Sequence, residues 1–159
     1  MERRTAIKQM FILAGGMLIA SSCVNDGNKA SIALSNVDFS KSDEELLAQL
    51  VEAIIPETDT PGGRSLNLHL FVMKMVDDCH SPEEQAAFVN GLRVARKVKD
   101  KSTEEILSYI KSLSQDDTFS VILKQRTIMG YLNSEYVMKN KLIYELVPGR
   151  YNGEMKIKA

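Results

Sequence analysis

The densest cluster of side chains that could bind a metal ion or catalyse a reaction is Asp77-Asp78-Cys79-His80. The apolar periodicity of the preceding residues places this cluster at the end of a helix. Neighbouring residues on a helix point about 100° apart, so four consecutive side chains do not converge on one ion. No second His or Cys lies three or four residues away to complete a tetrahedral set of ligands. We therefore interpret the cluster as a helix C-terminus with a buried Cys79, and we predict no catalytic residue and no metal site.

The most distinctive loop of the sequence is Thr58–Gly63. Pro61 followed by Gly62 is typical of the two central positions of a type II turn, where the second residue needs a positive φ. The sequence Gly62-Gly63-Arg64 lacks both the glycine spacing and the Lys-Ser/Thr of a phosphate-binding loop. We interpret this loop as a tight connection between two helices, and the alternative is a loop that contacts a partner protein.

Composition limits the class of protein. The chain has 159 residues, 44% of them hydrophobic and 26% charged, which is typical of a soluble globular domain. Its net charge of −1 lacks the basic excess of nucleic-acid-binding proteins, so we predict no nucleic-acid partner. The basic stretch Arg93–Lys101 contains Asp100 and has acidic flanks, which favours a solvated helix end over contact with anionic lipid or nucleic acid.

The N-terminal residues have the three parts of an export signal. A positive segment with Arg3 and Arg4 precedes eleven apolar or small residues, Met10–Ala20, and small residues lead up to Cys23. This arrangement resembles a bacterial lipoprotein signal, so we predict that residues 1–22 are a signal peptide and that Cys23 is lipidated. The alternatives are cleavage as a plain signal and retention as an anchor. Lipidation of Cys23 would leave Cys79 without an intramolecular disulfide partner.

The pair Arg3-Arg4 also resembles the twin-arginine export motif. The weakly hydrophobic segment behind it, interrupted by Gly15 and Gly16, favours this route over the general one. The twin-arginine route carries folded proteins, including partners that already hold a cofactor.

The remainder of the chain predicts an all-α fold. Residues 23–41 are rich in Ser, Asn and Asp and predict a flexible tether, although its apolar residues are spaced closely enough for part of it to pack on a surface. Residues 42–159 predict a single-domain bundle of about five helices. Three segments begin with a Ser three residues before a Glu, the pattern of a capping box: Ser42–Glu45, Ser81–Glu84 and Ser102–Glu105.

Apolar residues at helical spacing predict the buried face of each helix. The first predicted helix ends before Pro56, the second runs from about Leu66 to Cys79, and the fifth begins at Asp117. We expect Phe119, Ile122, Leu123 and Met129 to face the core from this fifth helix. Beyond Gly130 the pattern weakens.

Five stretches of the sequence occur in an order that resembles the gluconate 2-dehydrogenase subunit 3 family. They are Leu46–Gly63, Phe71–Cys79, Ser81–Gln85, Gly130–Glu135 and Val147–Tyr151. The resemblance covers roughly residues 39 to 153. Its most specific piece is Ile54-Ile55-Pro56 followed by Thr58–Gly62.

The resemblance implies a small, non-catalytic helical subunit that holds no cofactor of its own. Its implied partner is a large flavoprotein dehydrogenase of the glucose–methanol–choline type, which contains FAD and oxidises sugars, sugar acids or glycosides. A cytochrome c or another electron acceptor would take the electrons. The small subunit would help the flavoprotein to fold, export it in complex with itself, and hold it at the periplasmic side of a bacterial membrane through the lipid on Cys23. The alternative is a stand-alone lipoprotein adaptor or binding protein without a redox partner.

Under the first hypothesis we expect the distinctive loops of the resemblance to contact the flavoprotein. The predicted partner-binding residues are Thr58, Asp59, Pro61, Gly62, Gly130, Tyr131, Glu135, Pro148, Gly149, Arg150 and Tyr151.

Overall fold

The computed structural model describes residues 28–142, and these residues form an all-α domain with six α-helices. The helices are α1 (Lys41–Ile54), α2 (Leu68–Cys79), α3 (Pro82–Ala95), α4 (Thr103–Ser112), α5 (Thr118–Leu132) and α6 (Glu135–Asn140), and a short 3₁₀ helix, Arg96–Val98, follows α3. The predicted fold class is confirmed. The sixth helix lies beyond Gly130, where the apolar pattern was too weak to predict one. None of the helices within residues 28–142 combines the length and apolarity needed to cross a lipid bilayer.

Two of the three predicted capping boxes are confirmed. The Ser81 hydroxyl accepts a hydrogen bond from the Glu84 N–H at 3.3 Å, and the Glu84 carboxylate accepts one from the Ser81 N–H at 3.0 Å. Ser102 and Glu105 form the same reciprocal pair at the start of α4, with distances of 3.3 and 3.2 Å. Each box satisfies N–H groups that have no partner within the helix.

The third box was placed two residues too late. α1 begins at Lys41, and its N-cap is Ser40, which shares a capping box with Asp43 at 3.2 Å in both directions. Ser42 already lies within the first turn, and its hydroxyl accepts a hydrogen bond from Lys99 Nζ at 2.8 Å. The start of α1 is fixed from outside the helix, because the Lys41 N–H donates to the Asn28 carbonyl at 2.9 Å.

The core lies between α1, α2, α3 and α5, and α4 packs against α1. Phe88 is fully buried at the centre of the core. The centroid of its ring lies 6.2 Å from that of Phe39, in an edge-on arrangement, and 5.2 Å from that of Phe119. Such aromatic pairs stabilise a core beyond the area that they bury. One predicted core residue is wrong: Met129 is 38% exposed, because the buried side of α5 passes through Leu123, Thr127 and Gly130 instead.

Residues 28–40, which the sequence assigned to the tether, pack against the helices, and we call them the strap. Val37 and Phe39 are buried in the core. The strap folds back on itself, since the Ala30 N–H donates to the Phe39 carbonyl at 3.0 Å. The apolar residues noticed in this segment therefore contribute to the domain itself.

A buried carboxylate on α2 fixes the middle of the strap. Asp77 is 1% exposed, and its two oxygens accept N–H groups from Ser35 at 2.9 Å, Asn36 at 2.6 Å and Val37 at 3.0 Å. Burial raises the pKa of Asp77, but these three donors and the Lys74 ammonium outweigh it and lower the pKa from 3.8 to about 2. The carboxylate therefore stays charged inside the domain.

This role of Asp77 was not predicted from the sequence, and the predicted burial of the thiol of Cys79 is wrong. Cys79, predicted to be buried, is exposed. The buried face of α2 includes Met73, Val76 and Asp77. Cys79 follows Asp77 by two positions in the chain, which places it on the other side of the helix, so its side chain points outward.

We predict that Asp77→Asn lowers the free energy of unfolding by about 2 kcal/mol, because an amide cannot replace the charge-assisted hydrogen bonds of the carboxylate. Urea unfolding at pH 7 measures the change. Asp78→Asn is the matched control, since Asp78 is exposed next to Asp77 and its carboxylate pairs with Lys74. An equal loss in both variants would contradict a specific role for Asp77.

Stability should also fall in acid. Asp43 resembles Asp77 in that burial raises its pKa while hydrogen bonds from Ser40 and Arg96 lower it further, below the ordinary value of 3.8. A lowered pKa contributes stability above the pKa of the unfolded chain, and this contribution is lost as the pH falls through the pKa of the folded state. We therefore expect the urea concentration at the midpoint of unfolding to decrease as the pH is lowered from about 4 to about 2. This decrease should be smaller in Asp77→Asn. A parallel fall in both proteins would contradict this.

Candidate functional site

The loop from residue 55 to residue 67 joins α1 to α2 and contains the predicted partner-binding residues 58–62. Its base is closed by two main-chain hydrogen bonds: the Gly63 N–H donates to the Ile55 carbonyl at 2.7 Å, and the Leu68 N–H donates to the Gly63 carbonyl at 2.9 Å.

A single side chain of α1 fixes both halves of this loop. The two carboxylate oxygens of Glu52 accept the N–H of Glu57 at 2.9 Å and the N–H of Arg64 at 2.8 Å. The sequence analysis did not identify Glu52, because a glutamate in the last turn of a helix is usually solvated. The loop thus has a defined conformation before any partner binds.

The glycines of the loop are needed for space and not for a positive φ. Gly62 was expected to have a positive φ in a type II turn, and this is wrong, since no described glycine has one. A Cβ at Gly62 would lie 2.5 Å from Glu52 Oε1, and a Cβ at Gly63 would lie 2.6 Å from the Val51 carbonyl oxygen. Only glycine lets the loop lie this close to α1. The residue of this loop with a left-handed backbone conformation is Asn67, whose φ is 53° at the start of α2.

The two groups of predicted partner-binding residues that the structure describes meet in space. The Tyr131 hydroxyl donates to Thr60 Oγ1 at 3.3 Å, which joins α5 to the loop. Gly130 permits the close approach of α5 to α2, since a Cβ there would lie 2.7 Å from Phe71 Cδ1. Glu135 begins α6 and forms an exposed ion pair with Lys139.

The other predicted residues differ in their surroundings. Thr58 and Asp59 are exposed on the loop, where the Thr58 hydroxyl donates to Asp59 Oδ1 at 3.1 Å, and Pro61 is half-buried. Pro148, Gly149, Arg150 and Tyr151 lie outside the described residues, as do Arg3, Arg4 and Cys23.

Beside the loop, a groove of about 620 Å³ runs between the start of α2 and the end of α5 with α6. Its lining is mixed and includes Leu66, Phe71, Tyr136 and Asn140. On the outer side of α5, whose Tyr131 contacts the loop, Ile128 is 47% exposed and Leu132 is 52% exposed. Gly62, predicted to bind the partner, is buried, as is Gly63. We call the loop residues 58–61, this groove and these two apolar side chains the loop-end surface.

Exposed apolar side chains are concentrated near this surface. Five large hydrophobic residues are well exposed within residues 28–142, and four of them, Ile128, Met129, Leu132 and Leu142, lie on α5 or just after α6. The fifth, Val94, lies on α3. Clustered exposed apolar residues are typical of protein interaction sites, whereas single ones are common on any surface.

The polar cluster at the end of α2 offers no converging set of ligands. Asp77 points to the strap, and Asp78 pairs with Lys74 at 2.9 Å. His80 contacts Glu84 through Nδ1 at 3.1 Å, and its Nε2 accepts a hydrogen bond from Arg126 at 3.0 Å. The side chains diverge, as helical geometry predicts. Across residues 28–142, no three His, Cys, Asp or Glu side chains are grouped so that they could hold a metal ion.

Comparison with known proteins gives one match. The family model described as gluconate 2-dehydrogenase subunit 3 matches residues 41–149, which is more than half of the chain. The match begins at the first residue of α1, so the strap lies outside it. No curated protein and no solved structure matches the chain significantly.

We predict that Glu52→Ala loosens the loop without unfolding the domain. The amides of Glu57 and Arg64 would lose their acceptor, so their hydrogen exchange should become about tenfold faster. Exchange measured by NMR resolves these two amides from the core. Glu104→Ala, a truncation of an exposed glutamate on α4, serves as the control and should leave both rates unchanged. Unchanged exchange in Glu52→Ala would show that the loop is held by other contacts.

Proposed function

Since the chain belongs to the gluconate 2-dehydrogenase subunit 3 family, we propose that it is the non-catalytic small subunit of a dehydrogenase complex. We further propose that the loop-end surface binds a large FAD-dependent flavoprotein of the glucose–methanol–choline type. The flavoprotein would oxidise a sugar, sugar acid or glycoside and pass the electrons to a cytochrome c or another acceptor. The chain would assist its folding and its export.

The observation that carries this proposal is the exposed apolar side of α5 beside a preformed loop. Ile128 and Leu132 lie one turn apart, so both can enter the same partner surface. Burying two such side chains is favourable, because each removes apolar area from water. The loop adds polar contacts at low entropic cost, since Glu52 already holds its main chain in place.

The glycines of the loop favour contact with a partner protein over the binding of a nucleotide. A phosphate-binding loop uses glycines to bring main-chain N–H groups close to a phosphate. Here the space beside Gly62 and Gly63 is filled by Glu52 and by the main chain of Val51. The loop therefore offers no space for a phosphate, and the proposal keeps FAD in the partner subunit, as the family resemblance implies.

Export and anchoring complete the proposal. Arg3-Arg4 would direct a folded complex through the twin-arginine route, and the lipid on Cys23 would hold that complex on the periplasmic side of the membrane. The membrane contact of the partner would then be indirect, through this chain.

We predict that Leu132→Asp reduces recovery of the flavoprotein about tenfold or more, because it would bury an unpaired carboxylate in the interface. The chain is expressed in its native host with its own signal and recovered from a detergent extract. The amount of bound flavin per chain is measured from the absorbance spectrum. Ser108→Asp is the control, since it adds the same carboxylate at an exposed position of a different helix, α4.

Two results would contradict this proposal. Equal flavin recovery in the Leu132→Asp and Ser108→Asp variants would exclude the loop-end surface as the binding site. A colourless monomer from the unaltered chain would exclude the complex and favour the stand-alone lipoprotein adaptor. Circular dichroism of each variant separates lost binding from lost folding.

A further inference from the structure

The strap and the loop-end surface lie at opposite ends of α1. At one end, the Lys41 N–H donates to the Asn28 carbonyl at 2.9 Å. At the other end, the Ile55 carbonyl accepts the N–H of Gly63 at 2.7 Å. α1 has 14 residues, so about 20 Å separates the first described residue of the strap from the loop.

We infer that the strap holds one end of the bundle against the membrane and thereby turns the loop-end surface away from the lipid. This inference rests on the proposed lipidation of Cys23. Only Val24–Gly27 separate Cys23 from the strap, so Asn28 lies at most about 18 Å along the chain from the lipidated residue. A fully flexible segment from Cys23 to Lys41 would instead reach about 60 Å.

Contacts at several points keep the strap from acting as part of a flexible tether. Asp77 accepts three N–H groups from its middle, and Glu44 accepts both the N–H of Ser31 at 2.6 Å and its hydroxyl at 2.7 Å. Val37 and Phe39 anchor its second half in the core. A short connection to a fixed strap restricts both the height of the bundle above the bilayer and its tilt.

The surface next to Asn28 has a composition that suits an anionic lipid surface. The end of α3 exposes Val94 at 59%, and Arg93 beside it lines the same groove as Asn28. Lys29 and Arg96 also line this groove, together with two acids, Asp38 and Asp43, so cations are in excess by one. Arg96 pairs with the Asp43 carboxylate at 2.8 Å. An apolar side chain beside a cation is the combination that peripheral proteins place at the headgroup level.

The resulting arrangement has a functional consequence. A flavoprotein bound at the loop-end surface would stand about 20 Å further from the lipid than the strap, on the far end of α1.

The test measures the distance of each end from the bilayer. The full chain is produced lipidated, in a Cys79→Ser background, and placed in vesicles that contain phosphatidylglycerol and a headgroup spin label. A fluorophore is attached either through Val94→Cys or through Thr58→Cys. Because about 20 Å separates the two ends, we expect roughly twofold or stronger quenching at position 94 than at position 58.

A second variant tests the strap without altering the bundle. A Gly-Ser linker of about 15 residues inserted after Gly27 adds about 20 Å of flexible reach. We expect it to reduce the difference in quenching between the two positions. Asp77→Asn should reduce the difference too, provided that its circular dichroism shows a folded domain.

Flotation of the vesicles separates failure of the anchor from failure of the orientation. A chain that does not float, like the Cys23→Ala control, would overturn the lipid anchor and the orientation together. A chain that floats but shows equal quenching at both positions would overturn the orientation alone and leave the anchor intact. An unchanged difference after insertion of the linker would also overturn the role of the strap.

Discussion

The arrangement of this domain depends on a charged carboxylate that is buried among main-chain N–H groups, with the Lys74 ammonium 3.4 Å from one of its oxygens. Asp77 takes three main-chain N–H groups from consecutive residues, a geometry that exists only when residues 35–37 follow one path. The penalty for burying a carboxylate makes alternative paths of this polar segment unfavourable. Once that path is fixed, Phe39 reaches Phe88 and completes the aromatic core. A segment rich in Ser and Asn, which would otherwise be disordered, becomes part of the domain.

Glu52 has the corresponding role at the other end of α1, where it accepts main-chain N–H groups of the loop. Each of these two acids uses both carboxylate oxygens to accept main-chain N–H groups from a segment without regular structure, and each segment lies at a different end of the bundle. Helices alone would leave both segments mobile. The domain therefore presents two fixed non-helical surfaces, one toward the N-terminal part of the chain and one at the loop. Such preformed surfaces lower the entropic cost of assembly with a partner.

The features predicted correctly from the sequence are those that local spacing determines. The capping boxes of α3 and α4 each involve a Ser and a Glu three residues apart, so the sequence contains all of their information. α1 shows the limit, because the same pattern fits Ser42, and the choice of Ser40 depends on a carbonyl from the strap. The roles of Asp77 and Glu52 were not predictable, since their partners lie up to 42 and 12 residues away in the chain.

The candidate site was predictable in its loops but not in its apolar side. The loop Thr58–Gly63 and Tyr131 were identified from separate stretches, and only the fold brings Tyr131 to Thr60 of this loop. Periodicity assigns apolar residues of a helix to the core, yet α5 carries them on two sides: Leu123 is buried, whereas Ile128 and Leu132 are exposed. A soluble monomer gains nothing from apolar side chains in water, and grouped ones favour association. The second apolar side of α5 is therefore the feature that the proposed partner surface would cover.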